Sequence, residues 1–176
     1  MRLALLGASI AIAPLGIAAP SYAQHVVGYT TDKPSRLKPI KRKGDAGFPR
    51  FIGSVQLSGR FVVERVEGAP GYLRVIFFPD AASAALLPRM TGDRPVEELY
   101  FSNWQQAAAA LLQPAKSQLL LADGSLGAQG EATILIRDYR IGAVCDRRTY
   151  EAELVSASRK AEPVVVASRA GAAGCG

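Results

Sequence analysis

The segment ATILIRDYRI, Ala132–Ile141, is the clearest strand in the chain, and YEAELVS, Tyr150–Ser156, shows how such strands are used. In the second segment Tyr150, Ala152 and Leu154 alternate with Glu151 and Glu153. Side chains alternate between the two faces of a strand, so this one has an apolar face and a wet face. That is the pattern of an antiparallel sheet or barrel. By the same period of two, Arg137 and Tyr139 are expected to share a face.

Working outward, the same texture begins at Phe51. Val55 and Leu57 alternate with Ser54, Gln56 and Ser58, and Phe61-Val62-Val63 follows before the turn signal Gly68-Ala69-Pro70-Gly71. Leu73, Val75 and Phe77 point one way, with Tyr72, Arg74, Ile76 and Phe78 on the other face. That second face is partly apolar, so the strand is expected to be covered on both sides. Glu98–Phe101 reads as a brief strand and Val164-Val165-Val166 as a short edge strand. Asp80 is a good N-cap for a short helix over Ala81–Leu87 that stops at Pro88. Ser102 and Gln105 have capping-box spacing for a second helix that stops before Pro114. The expected fold is therefore mainly β with two short helices, an α+β chain. Two architectures fit it: a small antiparallel barrel of the oligonucleotide/oligosaccharide-binding type, or an open antiparallel sheet with the helices on one face.

Residues 1–23 have a different character. Arg2 supplies a positive start, Leu3–Ala19 is uncharged and almost wholly apolar, and Ser21 and Ala23 put small residues at a cleavage site. This is the pattern of a secretory signal peptide cut between Ala23 and Gln24. Pro14 and Gly16 break the apolar run, which suits a signal core better than a membrane span of about 20 residues. The expected location is periplasmic or secreted, with no transmembrane segment in the mature chain.

The 176 residues carry a net charge of +6, and the excess is local. Lys33, Arg36, Lys38, Lys41, Arg42, Lys43 and Arg50 crowd into residues 33–50 against one acid, Asp45, while residues 51–176 hold 13 basic and 13 acidic side chains. The expected organisation is a signal peptide over 1–23, a flexible basic arm over 24–50, rich in proline and poor in apolar residues, and one globular β-rich domain over 51–176. A basic arm exported to the cell envelope points to contact with anionic lipid head groups, about 1 kcal/mol per Lys or Arg near the surface, with Lys41, Arg42 and Lys43 its densest point. A solvated spacer is the plainer reading of the same charges. Nucleic acid is not expected as a partner, because no aromatic side chains interleave with the charges to stack on bases.

Only two cysteines are present, Cys145 and Cys175. In an oxidising compartment they are expected to pair, closing a loop of about 30 residues worth roughly 3–4 kcal/mol in the chain-entropy account. Such a bond ties down a tail that has few side chains to pack. Cys-x-x-Cys spacing is absent, which argues against a redox pair.

The remaining chemistry is sparse. His25 is the sole histidine and stands two residues past the cleavage site, which disfavours histidine-based triads and most zinc sites. No Gly-rich phosphate loop occurs. Neither a cofactor nor a metal is expected. Glu97-Glu98 and Glu151/Glu153 are the available carboxylate pairs, with solvated strand carboxylates as the plainer reading. The candidate binding cluster is Arg137, Tyr139, Arg140, Arg147 and Arg148: if two strands form a hairpin here, their guanidinium forks match a carboxylate, phosphate or sugar acid. The opposing reading pairs these arginines with Asp138 and Asp146 at the surface, where each pair is worth little. Together these features point to an exported, non-catalytic binding or adaptor protein of the envelope. The alternatives are a hydrolase of envelope polymers working through carboxylates, or an inhibitor or partner subunit docking on another protein through an exposed β edge.

Overall fold

The computed structural model describes residues 28–40, 48–66, 68–69 and 71–168. Its elements in chain order are β1 (Tyr29–Thr30), β2 (Lys38–Ile40), β3 (Arg50–Arg65), β4 (Leu73–Pro79), α1 (Ala81–Ala84), β5 (Arg89–Met90), β6 (Leu99–Phe101), α2 (Trp104–Leu111), α3 (Pro114–Ala122), β7 (Leu126–Val144), β8 (Arg147–Arg159) and β9 (Val164–Ala167). The fold is mainly β with short helices, as the alternation predicts.

Five strands close a ring. β3 pairs with β4, β4 with β6, β6 with β8, β8 with β7, and β7 returns to β3. The ring favours the barrel over the open sheet. Four of its pairings are antiparallel; β6 and β8 run parallel, so the sheet is mixed. That parallel pairing needs a long crossover, and α2, α3 and β7 all lie within it. β2 and β9 extend the ring at the free edges of β3 and β7. Phe51, Leu57, Phe61, Phe77, Leu99, Ile134, Ile136 and Tyr139 fill the inside. Burying each such side chain contributes about 1.5–3 kcal/mol.

Long strands coil round a barrel this small only if they bend, and bulges supply the bend. β3 shifts register against β7 between Phe51 and Ser54, where Gly53 adopts φ +102°. β7 shifts against β8 between Arg137 and Arg140, with Asp138 at φ 49°. Its buried positions run 132, 134, 136 and then 139, 141. One extra residue has therefore changed the phase.

Several local expectations change. α1 is capped as expected, since the Asp80 carboxylate accepts from the Ser83 amide at 2.8 Å. The capping box is not made: Asn103 is the N-cap residue, and Ser102 instead donates to the Ala152 carbonyl. The Asn103 side chain both donates to and accepts from the Leu154 backbone at 2.9 Å, standing in for a missing neighbour strand. A third helix, α3, starts at Pro114, a residue taken above as a stop. Proline at a first helical turn has no needed N–H to lose. On the outside of β4, Ile76 is buried and Phe78 lies beneath Arg60, 4.7 Å from its ring centroid, so both faces are at least partly covered.

The largest departure is the arm expected over 24–50. Its described part belongs to the folded body. β1 pairs with β5, β2 pairs with β3, and Arg50 opens β3. Leu37 is buried in the core, and Tyr29 sets its edge on Phe51 at 5.0 Å. Asp32 receives both terminal nitrogens of Arg89, at 2.7 and 2.9 Å. These few apolar and paired side chains suffice because a barrel end offers them a ready surface. Lys41, Arg42 and Lys43 fall in residues 41–47, outside the described residues, as do residues 1–27 and Cys175.

Candidate functional site

The β7–β8 hairpin carries the arginine cluster. Its tip is Cys145-Asp146, with Val144 opposite Arg147. Both tip residues have positive φ, 49° and 61°. Tight two-residue turns use that conformation to match the twist of their strands. The expected hairpin therefore exists, and all four arginines lie on it.

Their partners differ from those expected. Arg137 donates through Nε to Glu153 at 2.9 Å, and Arg140 holds Glu151. Arg148 stands 3.5 Å from Asp93 and 5.5 Å above the Phe48 ring. Asp138 is taken by Arg50, whose Nη2 lies 2.6 Å from it. Glu151 and Glu153, the carboxylate pair noted in the sequence, thus each serve an arginine on the neighbouring strand.

Tyr139 does not belong with them. The bulge at Asp138 turns it inward, so it shares no face with Arg137. It has no solvent exposure, and its hydroxyl donates to the Pro88 carbonyl at 2.6 Å. Its ring packs between Phe51 and Tyr150, with centroids at 5.7 and 6.4 Å. Burial holds its phenol well above the ordinary value of 10.0. Tyr139 is a core residue, and strict alternation misplaced it.

Beside the hairpin base, the two bulges shape a depression of about 630 Å³ on the outside of β3, β7 and β8. Ile52 and Val155, both exposed, form its apolar sides over Leu135. Arg50–Asp138 and Arg137–Glu153 supply two ion pairs along it. Ser54 adds a hydroxyl. Of these lining residues, Arg137 was a binding candidate in the sequence and Glu153 belonged to a candidate carboxylate pair. Arg50 was assigned to the arm, and Ile52 was missed because it precedes the first clean alternation. Gly53, directly after Ile52, was the available signal, since glycine inside a strand pattern marks a bulge or close backbone approach.

At the hairpin end of the barrel, charge and apolar surface lie together. Val144 is 59% exposed and Phe48 38%. Arg89 reaches back from β5 to the Asp93 carbonyl, and the Tyr150 hydroxyl donates to the Asp93 carboxylate at 3.1 Å. Cys145 sits at this tip. Among the described residues no group of three or more His, Cys, Asp or Glu side chains converges as a metal site. No described helix is long and apolar enough to cross a membrane.

The chain matches no protein-family model, no curated protein and no solved structure.

Proposed function

We propose that this chain is an exported, non-catalytic binding or adaptor protein of the cell envelope, and that it meets an anionic surface with the hairpin end of its barrel. One observation carries the second half of this reading. The chain leaves β2 at Ile40 and returns at Phe48, beneath Arg148. Ile40 stands opposite Arg50, and Arg50 opposite Arg140, so this connection leaves the barrel at the hairpin end. Lys41, Arg42 and Lys43 fall between these two points in the sequence, and Arg147, Arg148 and the exposed Val144 stand at that end of the barrel. Residues 33–50 hold the excess of basic charge while residues 51–176 are balanced, and an anionic lipid or polymer surface complements such a local excess. Export itself is supported by the signal pattern of residues 1–23, and Cys145–Cys175 pairing by the compartment that export implies.

The test is co-sedimentation with vesicles of phosphatidylglycerol and phosphatidylcholine, against phosphatidylcholine alone. Binding to the anionic vesicles should fall steeply as salt rises, since screening acts within about 8 Å at physiological ionic strength. The triple substitution K41S/R42S/K43S should weaken it without moving the melting temperature. Binding unchanged by that substitution rejects the reading. For export and the bridge, intact-mass measurement of protein from the source cell should find a chain that begins at Gln24 and lacks both thiol hydrogens; a chain that retains Met1 rejects export.

A further inference from the structure

The depression between the two bulges lies apart from the basic end and has a lining of its own. Its lining is neutral as a whole, with Arg50 and Arg137 set against Asp138 and Glu153. The two guanidiniums are differently committed. Arg50 gives Nε and Nη2 to the two oxygens of Asp138, at 3.2 and 2.6 Å, so its fork is spent. Arg137 gives only Nε to Glu153, leaving both Nη groups of its fork outside that bond. Its side chain is 65% exposed. An open guanidinium fork beside apolar walls is a receptor for one carboxylate, which two parallel N–H bonds hold.

We propose that this depression binds a carboxylate carried next to an apolar side chain, and that the source it fits is the carboxyl terminus of an extended peptide. The carboxylate meets Nη1 and Nη2 of Arg137. The adjacent apolar side chain lies over Leu135 between Ile52 and Val155. The carboxylates of Asp138 and Glu153 and the Ser54 hydroxyl accept from the N–H groups that precede the terminus. The same two carboxylates repel a ligand of higher negative charge, which disfavours phosphate and polyanions. A plain fatty or sugar acid meets the arginine but has no N–H row to offer the acceptors. About 630 Å³ is within the usual 300–1,000 Å³ of small-ligand sites. The site is an open surface depression, so the affinity it supports is weak, on the order of 0.1–1 mM.

The experiment is a backbone-amide NMR titration of the protein with acetyl-Ala-Ala-Val bearing a free carboxyl terminus. Shifts are expected at Ser54, Leu135 and Val155. The carboxyl-amidated peptide should bind about tenfold more weakly or worse, as should the free peptide with R137Q, because a charge-assisted pair is lost in each case. R137K should recover part of the loss, and I52S/V155S should weaken binding while leaving the preference for the free carboxylate. Arg137 is exposed, so R137Q should leave the melting temperature in place. Hexanoate should bind more weakly than the peptide; equal binding would assign the site to free acids instead and overturn the peptide. The proposal is overturned outright if no shifts occur at these residues at millimolar peptide, if the amide binds equally, or if R137Q binds as well as the unsubstituted chain.

Discussion

The Tyr139 hydroxyl and the Pro88 carbonyl lie 2.6 Å apart in a part of the barrel that water does not reach. The bond joins the inside of β7 to the loop that follows α1. Neither group has water to fall back on, so breaking the pair leaves a buried acceptor unsatisfied. Such a loss costs about 1–3 kcal/mol. Tyr139→Phe keeps the ring and its packing on Phe51 and Tyr150, and should lower the unfolding free energy by that amount, read as a lower urea midpoint with an unchanged slope. A midpoint equal to that of the unsubstituted protein would show that the bond contributes nothing net.

The same burial makes stability depend on alkaline pH. Desolvation raises Tyr139 well above 10, and it is the first cause of the rise of Tyr100 and Tyr150 to about 12. Glu98 beside Tyr100 and Asp93 beside Tyr150 add to the rise. In the unfolded chain these phenols ionise near pH 10. Below that value both states keep the protons and the contribution is full. Above it the unfolded chain releases protons that the folded chain retains, so stability falls from about pH 10 through the folded values near 12. Urea midpoints at pH 9, 10 and 11 should decline in that order, and Tyr139→Phe should make the decline shallower. A flat profile would be inconsistent with three protonated, partly or fully buried phenols.

Gly53 fixes the β3 bulge by two independent constraints. Its φ is +102°, and a Cβ there would sit 2.4 Å from the Arg36 carbonyl oxygen. A side chain is therefore strained by the backbone conformation and blocked by backbone from the segment before β2. Gly53→Ala should destabilise by about 1–3 kcal/mol, the range for a residue held in a sparsely populated backbone region. Equilibrium denaturation measures this directly. It should also broaden or shift the amide signals of residues 36–38, because relief of the clash must move them.

How far the sequence was legible follows from these same residues. The strands of β4, β7 and β8 could be read because one face of each packs on the core, and alternation reports that directly. The barrel could be anticipated but its parallel β6–β8 pairing could not, since pairing direction depends on where the crossover returns. Tyr139 was misplaced because a bulge changes the phase without a glycine or proline to announce it; Asp138 takes the positive φ instead. The capping box at Ser102 failed because the helix starts one residue later, with Asn103 as its N-cap residue held on the Leu154 backbone. Segment 28–40 looked like an arm because its attachment uses few apolar residues. Leu37, Tyr29 and the Asp32–Arg89 pair are single side chains, each invisible to periodicity. The depression was illegible for a related reason: its residues come from three strands at two register shifts, and no local pattern brings them together.

The Asp32–Arg89 pair is the test of whether the 28–40 segment is truly part of the barrel. The Arg89 guanidinium holds the Asp32 carboxyl below its ordinary value, chiefly by hydrogen bonding and then by charge. Two backbone bonds flank it: the Thr91 amide donates to the Gly28 carbonyl, and the Lys33 amide donates to the Ala85 carbonyl, both at 2.9 Å. If the pair pins the segment, Asp32→Asn should speed hydrogen exchange at Thr91 and Lys33 while leaving β7 amides such as Ile134 and Ile136 unchanged, because local opening is independent of global unfolding. The pH dependence follows from the direction of the shift. A depressed carboxyl contributes stability above its unfolded value near 3.8 and loses it as pH falls through the lower folded value. After correction for intrinsic exchange, protection at these two amides should therefore hold at neutral pH and fall below about pH 4. Asp32→Asn should abolish that fall. Equal protection in both proteins at neutral pH would show that β1, β2 and Leu37 hold the segment without the ion pair.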